Sequence, residues 1–258
     1  MTISQSLAAG LVRYGFDGAL LFCRIGGVIM LLPGFGEQSV PPMLRAGLVL
    51  SLVLVLAPVL APILPAPPAT PILLAASWLH EIAIGLFIGW LARVAAMALP
   101  MAGQFISYQI GLSSVVLPDA LLGAESTVLS SAFGLAMPTL FLTSNLFVWP
   151  LMALAQSYRT LPAEGAMSLH NAAGLMLGAV ASSFAIALEL AAPYILAGLL
   201  WQAALALISR LVPQIQVYFI AMPAQILGGS LLLAAGILSL LMLWQHQMQS
   251  QLAYLFGS

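Results

Sequence analysis

Charge is what this sequence has least of. Only 5% of its 258 residues are charged and 62% are hydrophobic, with a mean hydropathy of +1.12. A soluble domain carries about 25% charged residues, so the composition excludes one and requires an integral membrane protein with little mass outside the bilayer. Lysine is absent altogether; six arginines stand against seven acidic residues, for a net charge of −1. That balance leaves no basic footprint for nucleic acid. The single cysteine, Cys23, excludes an internal disulfide and a multi-cysteine metal site, and is expected as a small buried apolar side chain. No basic segment precedes the first apolar run, and Arg13, Asp17 and Arg24 interrupt it, so no cleaved signal peptide is expected. Catalytic constellations are also missing. His80, His170 and His246 do not form HExxH, and there is no GxSxG, Walker or dinucleotide motif. The expectation is a protein without cofactor or metal that is not an enzyme, with the adjacent His80–Glu81 pair in a packing or interfacial role.

What is present is a series of apolar runs broken by proline and glycine. The first covers residues 6–32 and ends in LLPGFGEQSVPP, a turn punctuated by Pro33, Gly34, Gly36, Pro41 and Pro42 around Phe35. Arg45 follows, then an uncharged run over 46–64, long enough to cross about 30 Å of hydrocarbon. PAPPATP at 65–71 reads as a stiff extended connector. A third element covers about 72–100. Residues 126–158 are free of charge and carry Pro138 and Pro150, which predicts a kinked span with a short return. Residues 171–209 hold one charge, Glu189, and one proline near the middle, Pro193; they form either two short spans or one long bent helix. A proline-broken hinge, LVPQIQVYFIAMPAQ with Pro213, Gln214 and Pro223, leads to a last apolar run over 219–243 that ends at Trp244 before a Gln-rich tail. The fold class is therefore all-α: a polytopic membrane protein of about six long helices kinked at Pro and Gly, with seven spans as the alternative. Trp78, Trp149, Trp201 and Trp244 fall near span ends and read as interfacial anchors. Arg45, Arg93, Arg159 and Arg210 fall at successive connectors or span ends and favour neither side of the membrane, which points to helices that pack mainly against protein.

Two stretches stand out chemically. In the third element Glu81, Gly85, Gly89 and Arg93 recur every four residues and form one stripe on a helix. The glycines make a seam where another backbone can approach. Glu81 and Arg93 lie about 18 Å apart along the axis, so each needs a partner on another element or a watery surface. The second stretch is residues 102–126, AGQFISYQIGLSSVVLPDALLGAES, which gathers Gln104, Ser107, Tyr108, Gln109, Ser113, Ser114, Asp119, Glu125 and Ser126 in a chain that otherwise avoids polar side chains. Gly103, Gly111 and Gly123 allow turns and Pro118 ends any helix entering it. It reads either as a connector between spans or as a re-entrant, plugging loop. In the second case Val115, Val116 and Leu117 exclude water, and Asp119 caps the next segment or anchors the loop.

The blocks LLPGFGEQSVPPMLRAGLVLSLVLVLAPVL, HEIAIGLFIGWLARVAAMALPMAGQFISYQIGLSS, ALAQSYRTLP and ISRLVPQIQVYFIAMPAQILGG occur in an order that resembles the FliR family of flagellar type III export proteins. The sequence departs from the family at TSNLFVWP (143–150), at Gln216 and at Ala221. The resemblance implies a core subunit of the export gate, in the bacterial inner membrane at the flagellar basal body. It implies FliP-like and FliQ-like partner subunits, FlhB-like and FlhA-like neighbours, and exported flagellar proteins as substrates. It also implies a FliP-like part over 1–165, with the central loop as plug, and a FliQ-like helical part over 166–258. Two other readings remain open: a homologous injectisome gate subunit, and a proton-coupled transporter using Glu81, Asp119 and Glu189 as relays.

Overall fold

The computed structural model describes residues 3–112, 116–118, 125–161, 169–211 and 217–257. Helix α1 (Ile3–Leu31) leads through the Pro/Gly turn to α2 (Pro42–Leu60), which ends in a short 3-10 turn. Pro42 opens α2 at a position where a missing N–H costs nothing. After an extended connector come α3 (Pro71–Ala96) and α4 (Ala98–Gln109). A short antiparallel ribbon, β1 (Val116–Pro118) and β2 (Glu125–Thr127), pairs Val116 with Thr127, Leu117 with Ser126 and Pro118 with Glu125. Helices α5 (Val128–Thr143), α6 (Val148–Thr160), α7 (Leu169–Leu211) and α8 (Val217–Phe256) complete the chain. Among the described residues five helical segments are long and apolar enough to cross a membrane, six when α5 and α6 are counted together.

The chain divides into two compact units, each discontinuous in sequence. The first contains α1, α2, α3 as far as Arg93, α6, the start of α7 and the last residues of the chain. Its core is a stripe of α1, Leu21, Ile25 and Val28, continued by Leu32 just past the helix, with Ile84, Ile88 and Leu91 of α3 and Leu154 of α6, all buried. The spacing of three and four residues is that of one helix face. The second contains α4, the ribbon, α5, α7 from Ala179 and α8 up to Gln251. There Leu99, Ala102 and Ile106 of α4, continued by its cap Ile110, and Leu129, Phe133, Met137 and Phe141 of α5 form the buried stripes. Gly103 lets the two helices meet: a Cβ there would lie 2.9 Å from Phe133 Cδ2 and 3.0 Å from the Leu129 carbonyl oxygen.

The structure decides or corrects several expectations. Residues 169–211 form one helix of 43 residues with Pro193 inside it, about 64 Å long. Helix α8 does not stop at Trp244 but runs to Phe256, because Leu240, Trp244, Met248, Leu252 and Phe256 continue one buried stripe beneath the glutamines of the tail. Trp244 is consequently no interfacial anchor; it is among the largest fully buried side chains. Pro223 lies inside α8 rather than at its boundary, and Pro213 and Gln214 of the expected hinge lie outside the described residues. Cys23 is half-buried rather than buried.

Candidate functional site

Three glycines bring α1 and α3 into backbone contact within the first unit. A Cβ on Gly85 would overlap the Arg24 carbonyl, one on Gly89 would lie 2.8 Å from the Val28 carbonyl oxygen, and one on Gly27 would lie 2.9 Å from the Leu86 amide nitrogen. The Gly85/Gly89 seam, read from the sequence as a place where another backbone can approach, receives α1 of the same chain.

This close approach places Arg24 against Glu81, both fully buried. Arg24 Nε donates to Glu81 Oε2 at 2.6 Å and Nη2 donates to Oε1 at 2.8 Å, a bidentate pair. Nη1 donates to Ser157 Oγ at 3.0 Å, and Nη2 also donates to the Leu161 carbonyl at 3.0 Å. Ser157 Oγ passes its own hydrogen to the Leu154 carbonyl at 2.7 Å. The guanidinium carbon stands 4.2 Å from the centre of the Tyr158 ring, a cation–π contact in a desolvated site. One arginine therefore ties α1 to α3 and to the end of α6, and its charge is matched by a single carboxylate.

The other charge of the stripe, Arg93, is held separately. Its Nη1 and Nη2 donate to the Glu37 carboxylate at 3.3 and 3.5 Å, and Nη1 also approaches the Leu31 carbonyl at 3.4 Å. Glu37 belongs to the turn that Pro33, Gly34, Phe35, Gly36 and Pro41 were expected to shape. Gly34 has φ of 90°, where an L side chain is disfavoured. A Cβ on Gly36 would overlap the Met30 carbonyl, and the Phe35 ring meets Phe147 edge-on, with centroids 6.1 Å apart. Arg45 closes the turn from α2 by donating to the Val40 carbonyl at 2.8 and 3.1 Å and to the Glu37 carbonyl at 3.1 Å.

The central stretch belongs to the second unit. Gln104 Oε1 accepts from the Thr127 amide at 3.2 Å and from Thr127 Oγ1 at 3.0 Å, and Thr127 caps α5 by accepting from the Ser130 amide. These bonds pin β2 to α4. Ile110 ends α4, and Gly111 follows with φ of 81°. Gln225 Nε2 donates to the Gln109 carbonyl at 2.9 Å. Gly198 and Gly229 provide the room: a Cβ on the first would overlap Gln109 Oε1, and one on the second would overlap the Ile110 side chain. The roots of the loop, Gln109 and Gly111, are therefore fixed against α7 and α8, and Val116, Leu117 and Pro118 run in β1. Ser113, Ser114, Val115 and Asp119 lie outside the described residues.

Sequence reasoning singled out Glu81, Arg93, Gly85, Gly89 and Arg45 but did not name their partners. Arg24, Ser157, Tyr158 and Glu37 are the residues it missed as partners. The available signal was Arg24 itself, a lone cation in an apolar run, which has to be paired somewhere. The proposed relay groups do not share a described site: Glu81 is bound by Arg24, Glu189 accepts from Gln247, and Asp119 is not described. Among the described residues no group of three His, Cys, Asp or Glu side chains is placed to hold a metal ion.

Comparison with known proteins extends over the elements that carry this arrangement. The model of the family described as bacterial export proteins, family 1, matches residues 16–251. The flagellar biosynthetic protein FliR of Caulobacter vibrioides is 32% identical over 229 residues, covering 89% of this chain and 91% of that protein. FliR of Escherichia coli is 31% identical over 214 residues, covering 82% and 80%. The Yop proteins translocation protein T of Yersinia pestis is 29% identical over 219 residues, covering 83% of each. The match runs from α1, where Arg24 sits, to Gln251 near the end of α8, and the chain accordingly belongs to family 1 of the bacterial export proteins, together with the FliR proteins it resembles.

Proposed function

We propose that this chain is a core subunit of a type III protein export gate that serves flagellum assembly. The observation that carries the reading is the 32% identity to a flagellar biosynthetic protein over 89% of this chain and 91% of that protein. The structure supports it physically. The buried ion pair and glycine seam fix the chain internally, while α2 and α8 keep long apolar faces exposed, including Leu54, Val55 and Val59 on α2 and Leu227, Leu231 and Leu238 on α8. Such faces need lipid or neighbouring subunits to cover them.

On this reading the subunit lies in the bacterial inner membrane at the flagellar basal body. FliP-like and FliQ-like subunits pack beside it, and FlhB-like and FlhA-like components are its neighbours. Residues 1–165 form a FliP-like part and residues 166–258 a FliQ-like part. Exported flagellar proteins cross the gate unfolded, and energy transduction resides in other components. Gln109, Gly111, Ser113, Ser114, Val115, Val116, Leu117, Pro118 and Asp119 form the plug of the resting pore. A pore wide enough for an unfolded chain leaks ions unless filled, and a loop can leave a pore while breaking few backbone hydrogen bonds. The ribbon and the Gln104–Thr127 bonds give that loop a fixed base on α4 and α5.

The test is co-expression with the FliP-like and FliQ-like proteins of the same bacterium, followed by purification through this chain. A stable complex containing all three supports the gate. A lone protein that binds small solutes refutes it. The likeness to the Yop translocation protein keeps an injectisome role as the second reading; restoring motility to a strain lacking its own FliR separates the two.

A further inference from the structure

The described part of α7 and α8 contains one feature that neither the internal clamp nor the loop uses. Glu189 is the only charge in residues 171–209. It lies about 30 Å from the start of α7 and about 33 Å from its end, so neither helix terminus is near it. Arg159 and Arg210, by contrast, sit in the last turns of their helices. The Glu189 carboxylate is exposed, and both of its oxygens accept from the neutral amide of Gln247 at 3.1 Å. Every other carboxylate among the described side chains has an arginine: Asp17 has Arg13, Glu37 has Arg93 and Glu81 has Arg24.

Around Glu189 the exposed side chains of α7 are apolar, while those of α8 change beyond Gln247 from Met242 and Leu243 to the polar Gln249 and Ser250, with His246 beside Gln247. Phe184, Leu188 and Leu196 on α7 and Met242 and Leu243 on α8 are all exposed. The hairpin beneath them is fixed: Gln251 Nε2 donates to Ser182 Oγ at 2.6 Å, and Gly236 leaves space for the Tyr194 hydroxyl. The carboxylate is therefore held in place on an apolar face that the chain itself does not cover. An amide fills its lone pairs but leaves its charge uncompensated, and a bare carboxylate among apolar groups is costly.

We propose that this face of the α7–α8 hairpin docks a membrane helix of a partner subunit that presents an arginine or lysine to Glu189. The proposal rests on the export-gate reading and adds the chemistry of one partner contact. Charge sign selects the occupant. A second copy of this chain would bring its own Glu189 to a two-fold contact and repel. An anionic lipid headgroup is repelled in the same way. A cation carried on an apolar helix matches both the carboxylate and the leucines around it, and Gln247 pre-orients the acceptor.

The test uses the assembled complex with its partner subunits. A photo-crosslinking residue replacing Leu188 is expected to join a helix of another export subunit, at a position within one turn of an Arg or Lys. Glu189→Lys should lower recovery of that subunit at least about tenfold, as for a buried like-charge contact. Glu189→Gln should lower it less. Reversing the partner's cation to Glu should restore recovery with Glu189→Lys, which a misfolded variant would not allow. The proposal is overturned if the crosslink reaches only lipid or a helix without a cation in reach, if Glu189→Lys assembles at the wild-type level, or if the reversed pair gives no rescue. Failure of the wild-type chain to enter any export complex overturns the gate reading itself. An intact wild-type complex that tolerates Glu189→Lys removes only this contact.

Discussion

Replacing Glu81 by Leu should destabilise the first unit by stranding a buried charge. The leucine is similar in bulk, so the cost is electrostatic rather than steric. Arg24 would lose two charge-assisted bonds, at 2.6 and 2.8 Å, and keep only Ser157 Oγ, the Leu161 carbonyl and the face of Tyr158. A cation left without its counter-ion in a fully buried site costs about 3–5 kcal/mol. For a chain of this size that corresponds to a fall in Tm of roughly 6–20 °C. Glu81→Gln should cost less, because the amide oxygen still accepts one hydrogen bond. The decisive comparison is the double variant Arg24→Met with Glu81→Leu, in which no charge is left behind. Ser157 keeps its bond to the Leu154 carbonyl, and the main loss is the donor to the Leu161 carbonyl, about 1–2 kcal/mol. Thermal unfolding of the purified complex, together with the amount of chain recovered from membranes, reads all four proteins. If Glu81→Leu alone falls within about 1 kcal/mol of wild type, or the double variant is no better than the single one, the pair is not the clamp described above.

Gly85→Leu and Gly89→Leu should each prevent α1 from seating on α3, because the new side chain meets the Arg24 and Val28 carbonyls; protease resistance of the first unit should fall while membrane insertion persists, and normal resistance would refute the seam. Gln104→Leu leaves the Thr127 amide without its acceptor, at a cost of about 1–3 kcal/mol, and amide exchange at Thr127 should accelerate; unchanged exchange would show that the ribbon is anchored otherwise. Deleting residues 113–121 should raise small-ion leak in cells making the complete complex before it abolishes assembly, and a deletion that assembles and stays ion-tight would return this stretch to the role of a connector.

Element positions were largely readable because hydropathy and Pro/Gly punctuation are local signals. The turn after α1, the extended connector before α3 and the division between α5 and α6 all follow from them. The end of α8 was not readable that way. Six polar residues between Trp244 and Leu252 lower the hydropathy, but the four-residue spacing from Leu240 to Phe256 carries the helix onward. Periodicity was the better guide there than mean composition. The need for partners at Glu81 and Arg93 was visible from the cost of isolated charge. Which partner each takes was not, because Arg24 lies 57 residues from Glu81 and Glu37 lies 56 residues from Arg93, and one sequence carries no record of such pairings. Gly85 and Gly89 show the same limit: spacing announces a close helix contact without saying whether the neighbour is the same chain or another.

The Arg24–Glu81 pair also orders events during synthesis. Helix α1 carries its arginine into the membrane before the carboxylate that matches it exists, since 57 residues separate the two. At about 5–20 residues per second, that interval lasts roughly 3–11 s. During it an unpaired Arg24 at depth in lipid costs about 2.5–3.5 kcal/mol or more, which favours an α1 that stays where water or the insertion machinery solvates the guanidinium. Seating of α1 is thereby tied to the arrival of α3, whose Glu81 neutralises Arg24.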